Sequence, residues 1–205
     1  MQGLSYLAKI NIIHRDLALR NILLSGKRTV KISDFGLAVS GTGQYWSKTD
    51  RPLPYKHSAL ETLTKSVFST KTDVWAFGVT LWEMFSLASE PHAEISSPGE
   101  LVVKLESGEV RPGPACLLAP LHLQSVMRSC WAELPADRPT ARDVTNLVSP
   151  LLYTQVPVPG HDSTPLVTSR SFYWTNYKVL QGQPQPVASS GQGRGSGSGD
   201  SDIEM

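Results

Sequence analysis

The chain has 205 residues, a formal net charge of +1 and 18% charged residues. That length suits one domain with a sizeable core, and the near-zero charge argues against a nucleic-acid or polybasic membrane binder. Two cysteines, Cys116 and Cys130, are too few for a disulfide framework and have no metal-ligand spacing, which fits a reducing compartment.

In chain order, Leu4, Leu7 and Ala8 sit at helical spacing before Lys9-Ile10-Asn11 and predict the end of a helix. Ile22-Leu23-Leu24 and Thr29-Val30-Lys31-Ile32 flank Ser25-Gly26 and predict a hairpin. Thr70-Lys71-Thr72-Asp73 opens a helix running to about Phe85, apolar on almost every face and therefore central. Ser97-Pro98-Gly99-Glu100 reads as a helix start, with Ser97 capping, Pro98 at the first position and Glu100 closing a capping box. Gly108 is placed to end that helix. Pro120 to Trp131 and Thr140 to Leu152 predict two more helices, the second capped by Thr140 with Asp143 in the box position. The expected fold is mainly α, with a small β element near the N-terminus. No internal repeat is visible.

From residue 153 the composition changes. Gly, Pro, Ser and Gln dominate to the end of the chain, including the run Gly191 to Asp200. Such a stretch carries too little apolar surface to offset the entropy of ordering it. The boundary is placed near Leu152. Met1 to Ile13 has no signal-peptide pattern, and the longest apolar run, Val74 to Trp82, is far short of a membrane span. Membrane contact by this segment is not expected.

The chemistry is concentrated near the start. His14-Arg15-Asp16-Leu17-Ala18-Leu19-Arg20-Asn21 is followed, thirteen residues after Asn21, by Asp34-Phe35-Gly36. A carboxylate such as Asp16 can accept a hydroxyl proton and orient the oxygen for attack on a phosphoryl group. Asn21 and Asp34 offer hard oxygens suited to Mg²⁺. Taken singly, Asp16 and Asn21 could merely cap turns. The two-part pattern points instead to phosphoryl transfer.

This segment resembles the catalytic loop of protein tyrosine kinases. Ala18 stands where Ser/Thr kinases usually carry Lys, and Arg20 lies four residues after Asp16, the tyrosine-kinase arrangement. The resemblance continues through Leu53-Pro54-Tyr55-Lys56, Ala59-Leu60-Glu61, Asp73-Val74-Trp75-Ala76-Phe77-Gly78, Cys130-Trp131 and Asp137-Arg138-Pro139, covering about residues 1–150. It implies a protein-kinase C-terminal lobe over residues 1–152. Only thirteen residues precede His14, which leaves no room for the family's Gly-rich loop, strand Lys and helix Glu. The N-terminal lobe is therefore expected to be missing, and the chain alone to be inactive. Either it is part of a tyrosine kinase, or it is a non-catalytic kinase-like fragment serving as an interaction module.

The resemblance also implies roles. ATP and Mg²⁺ are the expected cofactors, with Asp16 the base, Asn21 and Asp34 the metal ligands, Arg20 part of the tyrosine-substrate site and Leu23 the floor under the adenine. Glu61 and Arg138 correspond to the family's structural ion pair, Asp73 to the helix acid that holds the His-Arg-Asp turn, and His14, Phe35 and Gly36 to structural positions. Tyr45 lies eleven residues after Asp34 and sixteen before Glu61, as an activation-loop phosphosite does. Arg15 and Lys48 would pair with its phosphate. The other reading of Tyr45 is an aromatic residue packing beside Trp46. Expected partners are protein tyrosine substrates and phosphotyrosine-reading adaptors at Tyr153, Tyr173 and Tyr177, in the cytoplasm or at the cytoplasmic side of the plasma membrane if the parent is a receptor. Phe85-Ser86-Leu87 before Pro91, and the long tail, look receptor-like.

Two stretches depart from the family. Leu19 replaces the usual Ala. His57-Ser58-Ala59-Leu60-Glu61 replaces Trp followed by Met or Thr and then Ala-Pro-Glu in the platform that receives the substrate tyrosine. His57 is expected to be a packing substitution.

Overall fold

A computed structural model of the chain describes residues 1–26, 29–41, 43–46, 54–110, 116 and 118–149. Lys48, Tyr153, Tyr173, Tyr177, the boundary near Leu152 and the tail lie outside the described residues.

The body is helical around one central helix. In chain order the helices are α1 (Gln2–Lys9), α2 (Leu60–Lys65), α3 (Thr70–Phe85), α4 (Pro98–Glu106), α5 (Leu121–Cys130) and α6 (Ala141–Val148). The strands are β1 (Ile12–Ile13), β2 (Ile22–Leu24), β3 (Val30–Ile32), β4 (Val39–Ser40), β5 (Tyr45–Trp46) and β6 (Val67–Phe68). They form three antiparallel pairs, β1 with β4, β2 with β3 and β5 with β6. The hairpin foreseen around Ser25-Gly26 is β2–β3, in the register Ile22↔Ile32 and Leu24↔Val30. The other two ladders join strands of two residues each, too short to announce themselves by alternation.

Helix α3 is buried along most of its length, including Val74, Trp75, Val79, Leu81, Trp82 and Phe85. It packs against α5 and α6 and reaches the 3-10 turns at Leu19–Asn21 and Tyr55–His57. Its cap is Ser69, one residue before the expected start. Ser69 Oγ accepts the Lys71 N–H, and Thr72 Oγ1 accepts the Ser69 N–H. That releases Asp73 from capping. Gly78 lets α3 and α5 approach closely: a Cβ there would lie 2.5 Å from Trp131 Nε1 and 2.9 Å from Cys130 Cβ. Both cysteines are free and buried, and burial pushes the Cys130 thiol up to about 12, so it packs as a small apolar group.

At α4 the capping box does not close as expected. Ser97 Oγ accepts the Glu100 N–H at 3.2 Å, but the Glu100 carboxylate turns to the N–H of Ser96, one residue further back. The helix ends at Glu106, and Gly108 takes the left-handed conformation, φ +72°, that an ending there requires. Around α6 the reciprocal box between Thr140 and Asp143 is complete. Among the described residues no helix is long and apolar enough to cross a membrane.

Candidate active site

The site is built on the hairpin β2–β3 and on the N-terminus of α3. With Ile22 opposite Ile32, Asn21 faces Ser33 at the open end of the hairpin. Ser33 ties that end shut: its N–H and its Oγ both donate to the Asn21 carbonyl at 2.9 Å. Asp34 is the next residue after that tie. It is exposed, takes φ +59°, and accepts the Gly36 N–H on Oδ1 at 3.2 Å.

Asp16 is held from two sides. Asn21 Nδ2 donates to the Asp16 carbonyl at 2.7 Å and to its Oδ2 at 3.0 Å. The Arg20 guanidinium pairs with Oδ1. Both carboxylate oxygens are engaged, and the side chain keeps 13% of its surface open. Its orientation is therefore set before any ligand arrives.

The loop carrying Asp16 is clamped to α3. The amides of His14 and Arg15 donate to the Asp73 carboxylate at 2.7 and 3.0 Å. The positive φ of Arg15, +69°, brings successive amides to one anion as in a backbone nest. Asp73 is buried. Burial raises its pKa to about 6, against the pull of the two amides and of Arg15. His14 is fully buried. Its Nε2 donates to the Ser33 carbonyl at 3.1 Å and its ring meets Phe35 edge-on, with centroids 4.9 Å apart. Burial lowers the His14 pKa, opposed by the Ser33 bond and the charges of Asp16 and Asp34, so the ring packs neutral. Phe35 itself is 47% exposed and Leu23, on β2, 54%.

The Arg138 guanidinium is fully buried and forms a bidentate pair with Glu61, Nη1 to Oε1 at 2.6 Å and Nη2 to Oε2 at 2.9 Å. It also donates to the carbonyls of Ala132, Glu133 and Lys71 and lies over the Trp75 ring. With the guanidinium buried and Glu61 13% exposed, this is far from an exposed surface pair. Tyr45 faces Phe68 across β5–β6, and the Arg15 guanidinium lies 4.2 Å from the Phe68 ring centre and 5.6 Å from that of Tyr45.

Sequence reasoning missed Glu83, whose Oε2 accepts the Leu19 N–H at 2.8 Å and lies 3.1 Å from His57 Nε2. It is the acid that ends the apolar run of α3, and a charge at that place was the available signal. Ser33 and Lys71, which donates to the Arg138 carbonyl, were also missed. Neither position carries a pattern.

The family model of protein tyrosine and serine/threonine kinases matches residues 1–148, and the chain belongs to that family. Relatives include the tyrosine-protein kinase receptor torso of Bombyx mori, 40% identical over 154 residues, 74% of this chain and 19% of torso. The tyrosine-protein kinase Shark of Drosophila melanogaster is 44% identical over 141 residues, 67% of this chain and 15% of Shark. Vascular endothelial growth factor receptor 3 of Coturnix coturnix is 39% identical over 172 residues, 83% of this chain and 12% of the receptor. The chain thus spans less than a fifth of the length of these relatives.

Proposed function

We propose that this segment supplies the catalytic loop, the metal ligands and the substrate platform for transfer of the ATP γ-phosphate to a protein tyrosine. The observation that carries this reading is the two-sided fixing of the Asp16 carboxylate by Asn21 and Arg20, at the hairpin end that also bears Asp34. Asp16 accepts the tyrosine hydroxyl proton and aims the oxygen. Arg20 holds that carboxylate and faces the substrate ring. Leu23, exposed on β2, forms an apolar floor for a base.

Among the described residues no cluster of three acidic, His or Cys ligands exists. Mg²⁺ is usually held by one or two carboxylates together with substrate phosphates. Asn21 turns its amide nitrogen to Asp16, which leaves its oxygen for a cation, and Asp34 presents an exposed carboxylate. Mg-ATP, when bound, supplies the transferable phosphoryl group and neutralises its charge. Tyr45 is the activation-loop phosphosite, with Arg15 and Lys48 as phosphate partners, and Glu61 with Arg138 holds the end of that segment. Protein tyrosines are the substrates, and adaptors read phosphate on Tyr153, Tyr173 and Tyr177 in a tail that begins near Leu152. The setting is cytoplasmic, beneath the plasma membrane in a receptor.

The test is steady-state kinetics on an active full-length protein carrying this segment. Asp16→Asn is expected to lower kcat by about 10²–10⁴-fold with KM for ATP nearly unchanged. Asp34→Asn is expected to raise that KM as well. The 205 residues alone, which contain no Gly-rich phosphate loop, serve as the inactive control. Wild-type turnover in Asp16→Asn would remove the assignment.

A further inference from the structure

The 3-10 turn Leu19–Asn21 carries two of the side chains that fix Asp16, and it lacks a cap of its own. Ala18 stands at the N-cap position with extended backbone and no side-chain acceptor. Inside the turn the Asn21 N–H bonds back to the Ala18 carbonyl at 3.0 Å. The amide of Leu19, the first residue, has no partner that the turn can supply. Serine, threonine or aspartate at position 18 would meet that need locally. Here it is met from another helix: Glu83 Oε2, near the end of α3, accepts the Leu19 N–H at 2.8 Å. The Glu83 side chain is 13% exposed, so little water competes for the bond.

The two ends of the turn are therefore anchored separately. At the far end, the Asn21 carbonyl is tied to Ser33 on the other arm of the hairpin. At the near end, the anchor is Glu83. Asp73, ten residues earlier on α3 and so about 15 Å away along its axis, holds the His14 and Arg15 amides. Asp16 lies between these anchored stretches, gripped on both sides by one helix. A shift of Leu19 would carry Arg20 and Asn21 with it, and these hold the two oxygens of the Asp16 carboxylate.

We infer that Glu83 is a positioning residue for phosphoryl transfer: by capping the Leu19–Asn21 turn, it sets where Arg20 and Asn21 hold the Asp16 carboxylate. The cap itself does not depend on the reaction. Its bearing on turnover rests on the proposed function, in which Asp16 is the base. A misplacement of about 1 Å at a reacting group can cost roughly 10²-fold in rate.

The test compares three variants in an active full-length protein carrying this segment, with kcat referred to folded molecules. Glu83→Met removes the acceptor. Glu83→Asp keeps the charge and loses the reach. Glu83→Gln keeps an oxygen at the same reach and loses the charge. Glu83→Met and Glu83→Asp are expected to lower kcat by about 10–10²-fold, and Glu83→Gln to restore most of it. In an Asp16→Asn background Glu83→Met is expected to cost less than it does alone, because both changes act on one carboxylate. In the 205-residue chain, NMR hydrogen exchange at the Leu19 amide is expected to quicken in Glu83→Met and Glu83→Asp, while the Val126 and Met127 amides of α5 keep their rates. Wild-type kcat in Glu83→Met, a Glu83→Asp enzyme faster than Glu83→Gln, equal losses with and without Asp16, or an unchanged Leu19 exchange rate would overturn the inference. If Glu83→Met does not fold, the order of Glu83→Gln and Glu83→Asp decides alone. Wild-type turnover in Asp16→Asn would instead remove the phosphoryl-transfer assignment and leave the exchange test of the cap standing.

Discussion

Arg138 meets Glu61 with both forks of its guanidinium, at 2.6 and 2.9 Å, and is 1% exposed. The two residues are 77 positions apart. Their pair fastens the first turn of α2 to the loop ahead of α6. A buried guanidinium left without its carboxylate keeps its full desolvation cost and loses the attraction that offset it.

Glu61→Ala is therefore expected to cost about 3–5 kcal/mol of unfolding free energy, read from chemical denaturation. Glu61 retains some solvent contact, so the lower end applies. Arg138→Met is expected to cost at least as much, because the carbonyls of Ala132, Glu133 and Lys71 lose a donor as well. Losses below about 1 kcal/mol, the range of exposed pairs, would show that the pair is not buried in solution.

Asp73 makes stability depend on pH with a definite sign. Its pKa is raised from 3.8 to about 6 by burial, so between those values the folded state holds a proton that the unfolded state has lost. Stability from this group falls as pH rises through that window and is fully present only below it. Denaturation midpoints of the wild type between about pH 4 and 6 should carry this decline. Asp73→Asn should lack it. A contribution that rises with pH across the window would mean the His14 and Arg15 amides outweigh burial.

How much of this was readable in advance follows from the range of each interaction. The caps of α4 and α6 are local: Ser97 and Thr140 bond amides three residues away, and the pattern of residues shows them. The central place of α3 followed from apolar residues on almost every face. The role of Asp73 and the Glu61–Arg138 pair came through resemblance, since residues 59 or 77 positions apart leave no trace in spacing. Glu83 was missed for the same reason: it acts on Leu19, 64 positions away, and only the fold brings them together. The turned-back Glu100 carboxylate shows the opposite failure, where a local pattern was present and a neighbouring amide competed for it.

Gly78 gives a packing test of the same core. Helix propensity alone would favour Gly78→Ala by roughly 1 kcal/mol. The added methyl would lie 2.5 Å from Trp131 Nε1 and 2.9 Å from Cys130 Cβ, inside contact distance of a buried ring and a neighbouring helix. Overpacking of that kind costs roughly 1–3 kcal/mol, so the net change is expected to be a loss. Thermal unfolding should show a lower midpoint for Gly78→Ala. A raised midpoint would mean that α3 and α5 stand further apart than described.

Tyr45 provides the last prediction. It is 37% exposed, lies opposite Phe68 in the β5–β6 pair, and has the Arg15 guanidinium 5.6 Å from its ring. Arg15 is already positioned, because its own amide is held by Asp73 and its side chain lies over Phe68. A phosphate on the Tyr45 hydroxyl would bring about two negative charges toward a cation that needs little reordering to meet it. In a full-length active protein, phosphopeptide mass spectrometry is expected to find Tyr45 modified before Tyr153, Tyr173 and Tyr177. Tyr45→Phe should lower activity, and Arg15→Ala should remove the gain that phosphorylation brings while leaving Tyr45 modifiable. An enzyme fully active with Tyr45 unmodified would leave Tyr45 as a packing residue of the β5–β6 ladder and nothing more.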